Sequence, residues 1–251
     1  MTDAVRLEIA PPRATITLDK PAKHNALVVD DLWRFAALLD EIDRLEDIRV
    51  VVVTGQGKSF CAGVDIGTLP EGGWSASPLD RLTKRIESLR QPVIAALNGG
   101  VFGGGADIAL ACDFRIGVEG LRMFVPPARL GIHYPLPGLE RLVARVGVSV
   151  AKRIMMANET FEDRDLLAVG WVDRLVSPER LGETVDEFAA RLAALAPLAV
   201  QGMKRTLNEI AAGLADPALV RDRVKRTFLS EDHKEGLAAF AQKREPAFKG
   251  R

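Results

Sequence analysis

The pattern of apolar and polar positions divides the first half of the chain into alternating strands and helices. Val5 to Ile9 and Ala14 to Leu18 alternate on either side of a Pro-Pro pair, which predicts two strands joined by a turn. Residues from about Asp30 to Glu46 carry apolar side chains at helical spacing, so this predicted helix has one buried face. The β-branched run from Ile48 to Thr54 predicts a fully buried parallel strand.

The same order continues towards the middle of the chain. A helix is predicted from about Leu79 to Arg90, and the apolar run from Pro92 to Leu97 indicates another buried strand. Strands that alternate with helices as far as residue 117 predict right-handed crossovers and a largely parallel sheet, and therefore an α/β fold. Beyond Gly120 the pattern changes to an irregular, proline-rich loop from Phe124 to Pro135.

Helices are predicted for most of the remaining sequence. They are expected at about Leu139–Val146, Val148–Ala157, Arg164–Val169 and Pro178–Leu195, with a short strand at Val172–Val176. The segment from Leu198 to Lys243 is predicted to be helical with breaks near Pro217 and Ser230. Its apolar positions exceed what one layer of helices would bury. We therefore expect residues 1–195 to form the core and residues 196–251 to form a helical assembly region.

Composition narrows the class of protein. The 251 residues include 34 Lys and Arg against 34 Asp and Glu, so a generally nucleic-acid-binding surface is not indicated. The first residues lack an apolar signal core and no run approaches membrane-spanning length, so a soluble cytoplasmic protein is expected. Cys61 and Cys112 stand in apolar settings, which favours reduced packing residues. His24 and His233 lack ligand partners at useful spacing, so no metal site is expected.

A glycine-rich stretch from Asn98 to Asp107 separates a predicted buried strand from a predicted buried helix. Its glycines allow another group to approach the backbone closely, and a helix that begins there points unpaired N–H groups outward. Such a turn can hold an anion, or an oxygen that becomes one during a reaction. Glycine clusters also serve simply to pack a helix against a strand, and Asp107 is then only a first-turn charge.

A second glycine-containing turn, from Gly55 to Ser59, resembles a phosphate-binding loop because a strand precedes Gly-Lys-Ser. A P-loop requires glycine where this chain has Val52, and it requires a helix directly after the serine. The residues that follow Ser59 leave little room for such a helix. Binding of a nucleoside triphosphate is therefore not expected.

Several motifs stand in a recognisable order along the chain. They are Ser59–Ile66, Asn98–Gly105, Pro127–Gly131 and Ser230–Phe248. With these motifs, the chain from about residue 5 to residue 250 resembles the crotonase (enoyl-CoA hydratase/isomerase) superfamily. The resemblance implies a spiral of repeated ββα units, a C-terminal helical region that forms homotrimers or dimers of trimers, and acyl-CoA thioester substrates. It implies no cofactor beyond the coenzyme A of the substrate.

The resemblance also implies where the site lies. The family's oxyanion hole consists of two backbone N–H groups, which correspond here to Val64 and Gly104, and fixed amides of this kind suit an enolate oxygen. By the same correspondence, the residues expected to contact coenzyme A are Lys23, Ala62, Val64, Asp65, Ile66, Gly67, Gly104 and Lys243. The lysines could equally be ordinary surface residues. Asp65 is favoured as a turn-forming residue.

The acid–base positions depart from the family's hydratase pattern. Hydratases of this family use two glutamates, and the corresponding residues here are Asp107 and Ala128. Hydration deprotonates a water and protonates the neighbouring carbon, so two carboxylates suit it, and Ala128 can do neither task. The loop from Pro127 to Tyr134 is similar to that of bacterial methylmalonyl-CoA decarboxylases, which also lack the second acid and have a tyrosine at the place of Tyr134.

The sequence therefore leaves three alternative functions open. The first is an enoyl-CoA hydratase/isomerase that works through an enolate, with Asp107, Tyr134, Val64 and Gly104 as catalytic groups. The second is a decarboxylase of a methylmalonyl-CoA-like substrate, in which Tyr134 orients the departing carboxylate and Asp107 or water returns the proton. The third is a non-catalytic acyl-CoA-binding homologue. His133 is a candidate substitute for the missing acid, and Glu140 is interpreted as a first-turn helix charge.

Overall fold

The computed structural model describes residues 4–65, 67 and 77–251, and the predicted site residue Ile66 lies outside this part of the chain. The strands are β1 (Val5–Ala10), β2 (Arg13–Leu18), β3 (Val50–Gly55), β4 (Ser59–Cys61), β5 (Val93–Leu97), β6 (Gly100–Phe102), β7 (Phe114–Val118), β8 (Arg122–Phe124), β9 (Phe161–Glu162) and β10 (Arg174–Val176). The helices are α1 (Val29–Asp43), α2 (Pro78–Ser88), α3 (Gly104–Ala111), α4 (Leu136–Met155), α5 (Asp163–Ala168), α6 (Leu181–Ala193), α7 (Pro197–Ala211), α8 (Pro217–Phe228) and α9 (Glu231–Gln242).

The larger sheet has the strand order β1-β2-β3-β5-β7-β10. β1 pairs with β2 in antiparallel fashion, and the other neighbouring pairs are parallel. Successive side chains of a strand point to opposite faces, so Val51 and Val53 of β3 join the core under α1, α2 and α3, whereas Val50 and Val52 pack against α6. Helices on both faces explain the continuous apolar run of β3. The prediction of a largely parallel sheet is confirmed.

A second, smaller sheet has the order β4-β6-β8-β9. β4, β6 and β8 are parallel, and β9 pairs antiparallel with β8. The residue pattern did not predict this sheet, because strands of two or three residues are too short to show alternation. Phe124, expected in an irregular loop, belongs to β8, and the loop after it contains a 3-10 helix at Pro127–Leu130.

Helix α4 begins earlier than predicted and is interrupted at Gly147. The helix begins at Leu136 and has no acidic residue in its first turn, so the interpretation of Glu140 as a first-turn charge is wrong. The helix starts early because Pro137 is tolerated in the first turn, where its missing N–H would have no partner. Gly147 interrupts the helix with φ 76° and ψ 164°, which agrees with the two predicted helices on either side of it.

The C-terminal helices follow the predicted breaks. The side chain of Asp216 accepts a hydrogen bond from the Ala218 N–H at 2.7 Å at the start of α8, and Ser230 caps α9 in the same way. α7 is attached to the core by Lys204, whose Nζ lies 2.8 Å from the Asp113 carboxylate. In the described part of the chain, no helix is both long enough and apolar enough to cross a membrane.

Candidate active site

Two main-chain turns touch each other at the edge of the small sheet. Gly63, after β4, has φ 81°, and an added Cβ there would stand 2.9 Å from the Gly104 Cα and closer still to the Gly104 nitrogen. A Cβ on Gly105 would stand 2.9 Å from the Cys61 carbonyl carbon. Real side chains do not tolerate these separations. Glycine at both positions is therefore what allows the start of α3 to lie against the turn after β4.

The backbone pairing of Leu27 directs the neighbouring amide of Val64. The Leu27 N–H donates to the Gly63 oxygen at 2.8 Å, and the Leu27 oxygen accepts from the Asp65 N–H at 2.8 Å. In a parallel pairing, the residue between two bonded neighbours points its own N–H away from the partner. The Val64 nitrogen accordingly lies 3.5 Å from where a Cβ of Gly104 would be.

The amides of Val64 and Gly104 have no carbonyl partner among the described residues. Gly103, which precedes α3, has φ 51° and offers no side chain to cap the helix. The first N–H groups of a helix have no partner within the helix itself, so the Gly104 amide remains available to a ligand. The structure thus brings together the two predicted backbone donors.

Asn25 attaches this turn to the loop before α1. Its buried side-chain nitrogen lies 2.8 Å from the Ser59 oxygen and 3.1 Å from the Phe60 oxygen, and its side-chain oxygen accepts from the Lys20 N–H at 2.8 Å. Asn25 has φ 59°, a conformation that asparagine tolerates better than most residues. Asn25 was not predicted from the sequence, because a single asparagine in a polar loop gives no sign of its three-dimensional contacts.

Asp107 lies in the first turn of α3, as predicted, and is paired with Arg141 of α4. The two side chains are 3% and 5% exposed. Arg141 Nη1 donates to Asp107 Oδ1, and Arg141 Nε and Nη2 donate to Glu87 Oε1 at 2.7 Å and Oε2 at 3.0 Å. Burial raises the pKa of the Asp107 carboxyl, and the Arg141 guanidinium offsets part of that rise. Neither Arg141 nor Glu87 was predicted from the sequence.

Tyr134 and Asp107 approach each other beside Gly138. A Cβ on Gly138 would stand 3.0 Å from Tyr134 Cδ1 and 3.1 Å from Asp107 Oδ2. Tyr134 and Asp107 also line one narrow pocket, whose other walls are mainly apolar and include Leu142 and Trp171. Burial raises the pKa of the Tyr134 hydroxyl well above its ordinary value, so that this group stays protonated.

The residues expected to contact coenzyme A are only partly gathered in one place. Asp65 Oδ1 accepts from the Gly67 N–H at 3.1 Å, which is the turn-forming role favoured from the sequence. Lys23, 70% exposed, lies 3.4 Å from Asp65 Oδ2, and Ala62 adjoins this turn. Lys243 is exposed after α9, and no hydrogen bond or ion pair in the described ranges joins it to this turn.

Ala128 and His133 lie on the loop between β8 and α4. Ala128 is exposed in the 3-10 helix, and the exposed His133 has its Nδ1 2.8 Å from the Tyr134 carbonyl oxygen. Among the residues that the structure describes, no cluster of His, Cys, Asp and Glu could hold a metal ion. Ser59 is the first residue of strand β4 (Ser59–Cys61), whereas a P-loop requires a helix directly after this serine.

Both cysteines are buried and free, as the sequence predicts. Burial raises the pKa of the Cys61 thiol to about 12 and that of the Cys112 thiol to about 12. Thiols with such pKa values remain protonated near neutral pH and are poor nucleophiles. The cysteines therefore contribute packing to the core under the site.

Known proteins resemble the chain over nearly its whole length. A family model described as enoyl-CoA hydratase/isomerase matches residues 13–251. The chain is 34% identical over 247 residues to the short-chain-enoyl-CoA hydratase of Clostridium acetobutylicum, with 95% of each chain covered. It is 32% identical over 241 residues to the 2,3-dehydroadipyl-CoA hydratase of Escherichia coli, with 94% of each covered. The crystal structure of an enoyl-CoA hydratase from Bacillus anthracis has a TM-score of 0.89 at 30% identity, covering 99% of this chain and 100% of the other.

The fold, the paired turns and these matches define a crotonase-fold enzyme, with two sheets and a C-terminal set of helices. The chain belongs to the enoyl-CoA hydratase/isomerase family. As a member of this family it acts on acyl-CoA thioesters. The fold and the class of substrate implied by the resemblance are confirmed.

Proposed function

We propose that the chain is an enoyl-CoA hydratase that works through a thioester enolate. The observation that carries this proposal is the contact between the turns of Val64 and Gly104, whose amides have no carbonyl partner in the described part of the chain. An enolate gathers negative charge on the thioester oxygen, and two fixed N–H groups stabilise that charge without having to reorganise. Loss of one such donor typically costs about 3–4 kcal/mol of transition-state stabilisation.

In the proposed reaction, Asp107 moves the proton. Asp107 accepts a proton from water as the water oxygen forms a bond to Cβ of the enoyl group. The electron pair of the Cα–Cβ double bond shifts towards the thioester oxygen, where the amides of Val64 and Gly104 hold the enolate. Cα then takes the proton from Asp107, which restores the carboxylate. The net change is addition of one water across the double bond.

Ala128 stands where the resemblance places a second acid, so Asp107 performs both proton transfers in this proposal. One correctly placed acid or base typically contributes a factor of about 10²–10⁴ to a rate. We therefore expect slower hydration than in an enzyme with two carboxylates.

Decarboxylation of a methylmalonyl-CoA-like substrate is the second candidate, and the position of Tyr134 favours it. Tyr134 lies beside Asp107 and keeps its proton, so it can donate a hydrogen bond to a substrate carboxylate. Cleavage of the bond from Cα to the carboxylate releases CO2 and leaves the electron pair in the same enolate. Protonated Asp107 or water then supplies the proton to Cα. This route requires no base.

Coenzyme A is proposed to lie along the turn after β4. Val64, Asp65, Ile66 and Gly67 form the segment that the resemblance assigns to the adenine and pantetheine channel, and Ala62 is a further candidate contact just before it. The exposed ammonium groups of Lys23 and Lys243 are the candidates for the coenzyme A phosphates, since a cation on a flexible stem suits a solvated phosphate.

The function is tested by measuring crotonyl-CoA hydration and methylmalonyl-CoA decarboxylation with the same preparation. The proposal expects hydration, its loss in Gly104→Pro, and a large fall in Asp107→Asn. Decarboxylation without hydration would establish the second candidate. Binding of acyl-CoA without any turnover would establish a non-catalytic homologue, and hydration retained in Asp107→Asn would remove the role of Asp107.

We also propose that residues 196–251 form a trimerisation region and residues 1–195 the core with the acyl-CoA site. Support comes from large apolar side chains that are exposed on α7, α8 and α9. They are Met203, Leu207, Ile210, Leu219, Val224, Phe228, Leu237 and Phe240. Exposed apolar surface of this kind marks an interaction site. A homotrimer or a dimer of trimers would cover it with further copies of the chain.

A further inference from the structure

The two oxygens of Asp107 have different surroundings. Oδ1 accepts a hydrogen bond from Arg141 Nη1, whereas Oδ2 is buried and has no hydrogen-bond partner within the described residues. Oδ2 lies towards Gly138 and the Tyr134 ring, at the narrow pocket that both residues line. A buried polar atom without a partner is costly unless a ligand or water satisfies it. The carboxylate therefore presents one bonded oxygen and one free oxygen.

We propose that Arg141 is a positioning residue that occupies Oδ1 of Asp107 and leaves Oδ2 as the oxygen that exchanges protons with the substrate. Glu87 in turn fixes Arg141. This inference rests on the proposed role of Asp107 in proton transfer. Arg141 makes no proposed contact with the substrate and acts only through Asp107.

The geometry of Glu87 suits the task of holding Arg141. Its two oxygens face Nε and Nη2 at 2.7 Å and 3.0 Å, which is the two-pronged arrangement that fixes a guanidinium plane. Because Nε and Nη2 are occupied, Nη1 is the nitrogen that reaches Asp107. Glu87 belongs to α2, and its own carbonyl oxygen accepts from Asn208 of α7 at 3.1 Å. Arg141 is thus held from one side by α2 and contacts α3 on the other.

The charges around Asp107 explain why a cation is needed there. Burial and the negative charges of Asp80 and Glu87 all favour the neutral carboxyl, whereas Arg141 favours the carboxylate. Tyr134 is uncharged beside it. A carboxylate next to an arginine typically has a pKa about 1–3 units lower than without it. Removal of Arg141 should therefore move the ionisation of Asp107 to higher pH.

The test compares the pH profiles of kcat and kcat/KM for wild type, Arg141→Met, Arg141→Lys and Glu87→Gln. In Arg141→Met, the acidic limb of both pH profiles is expected to shift to higher pH by at least about one unit. At neutral pH, kcat should fall about 10–100-fold while KM changes little, because the proton-transfer oxygen is misplaced. Arg141→Lys should return the limb towards the wild-type pH but recover only part of kcat, since lysine cannot bind both carboxylates in the same plane.

Arg145→Met is the matched control, because Arg145 is an exposed arginine one turn further along α4. Arg145→Met should change neither the acidic limb of the pH profiles nor kcat. A purely structural ion pair would instead lower the unfolding temperature of Arg141→Met and leave the pH profile in place, and that result would overturn the inference. If Arg141→Met does not fold, the inference is tested with Arg141→Lys and Glu87→Gln. A wild-type kcat in both of these variants would also overturn it.

Failure of the proposed function gives a different pattern. If Asp107→Asn keeps wild-type activity, the role of Asp107 is wrong, whatever Arg141 does. If Asp107→Asn is inactive and Arg141→Met keeps the wild-type profile, only the present inference fails. The ¹³C shift of the Asp107 carboxyl, titrated in wild type and Arg141→Met, measures the ionisation without turnover. An unchanged titration midpoint would also overturn the inference.

Discussion

Gly63 and Gly104 are in direct main-chain contact, and an added Cβ on Gly63 would lie 2.9 Å from the Gly104 Cα. Gly63→Ala should therefore push the two turns apart and separate the Val64 and Gly104 amides. We expect kcat/KM for an acyl-CoA substrate to fall about 10²–10³-fold, the usual effect of losing one oxyanion donor.

Gly120→Ala is the control for Gly63→Ala. Gly120 has φ 80°, close to the 81° of Gly63, but a Cβ there would meet nothing within 4 Å. Both alanine variants therefore suffer about 1–2 kcal/mol of backbone strain, but only Gly63→Ala disturbs the site. Equal kcat/KM values for the two variants would show that the contact between the turns has no catalytic role.

Ala128→Glu should increase crotonyl-CoA hydration. A carboxylate at this place supplies a second acid or base. A well-placed group of this kind typically contributes a factor of about 10²–10⁴, and we expect the rate of hydration to rise about tenfold in this unoptimised variant. Leu130→Glu, on the same 3-10 helix and also exposed, is the control for added negative charge. The assignment of position 128 is wrong if Leu130→Glu increases hydration as much as Ala128→Glu does.

The cysteines should resist alkylation in the folded protein. The pKa of about 12 for Cys61 and for Cys112 keeps each thiol protonated at pH 8, and both side chains are buried. In urea, the pKa values return to about 8.5 and reaction becomes fast. Mass spectrometry after iodoacetamide treatment should find no label before unfolding and two labels after it. Rapid labelling of the native protein would contradict the burial of these thiols.

Asp173→Ala should destabilise the core below the site. Arg115 is fully buried and its Nη2 lies 2.8 Å from Asp173 Oδ2, so loss of the aspartate leaves a buried charge without its counter-ion. Breaking a buried pair costs 3–5 kcal/mol, and because Asp173 is partly exposed we expect about 2–3 kcal/mol. Urea unfolding at one protein concentration measures the loss.

Glu183→Ala provides the comparison for Asp173→Ala. Glu183 Oε2 lies 3.5 Å from Arg180 Nε, and both side chains are well exposed. Removal of such a pair should change the free energy of unfolding by no more than about 0.5 kcal/mol. Similar losses for the two variants would mean that the burial of Arg115 is not what makes Asp173 important.

Charged substitutions on the C-terminal helices should disrupt assembly. Leu207→Glu combined with Phe240→Glu places two carboxylates on the exposed apolar surface, where a partner copy would have to desolvate them. Light scattering coupled to size exclusion should find trimers or hexamers for wild type and smaller species for the variant. Leu167→Glu on α5 should not change the molar mass. A monomeric wild type would refute the proposed trimerisation region.

The larger sheet was predictable because its signals are local and long. β3 is a continuous β-branched run, and α1 shows apolar spacing over several turns. The small sheet could not be found in this way, since β4 and β6 have three residues each and their partners are distant along the chain. Only the resemblance to a known family implied repeated units that include it.

Some residues of the candidate site could be predicted from the sequence and others could not. Asp107 and the amides of Val64 and Gly104 could be named because motifs mark them. The pairing of Arg141 with Asp107 could not, because Glu87, Asp107 and Arg141 lie on three different helices and meet only after these pack together. Burial of a charge is a tertiary property and leaves no periodic trace in the sequence.

In the proposed site, the amides of Val64 and Gly104 come from separate turns, so they can face one ligand only when β4 and β6 are paired. Tight binding of a thioester analogue therefore requires that the small sheet has formed, and a form with only the larger sheet should not bind it. By linkage, a ligand at a hundred times its Kd adds about 2.7 kcal/mol to the stability of the folded state alone. Ligand-induced protection of the small sheet in hydrogen exchange would thus report on the completeness of folding.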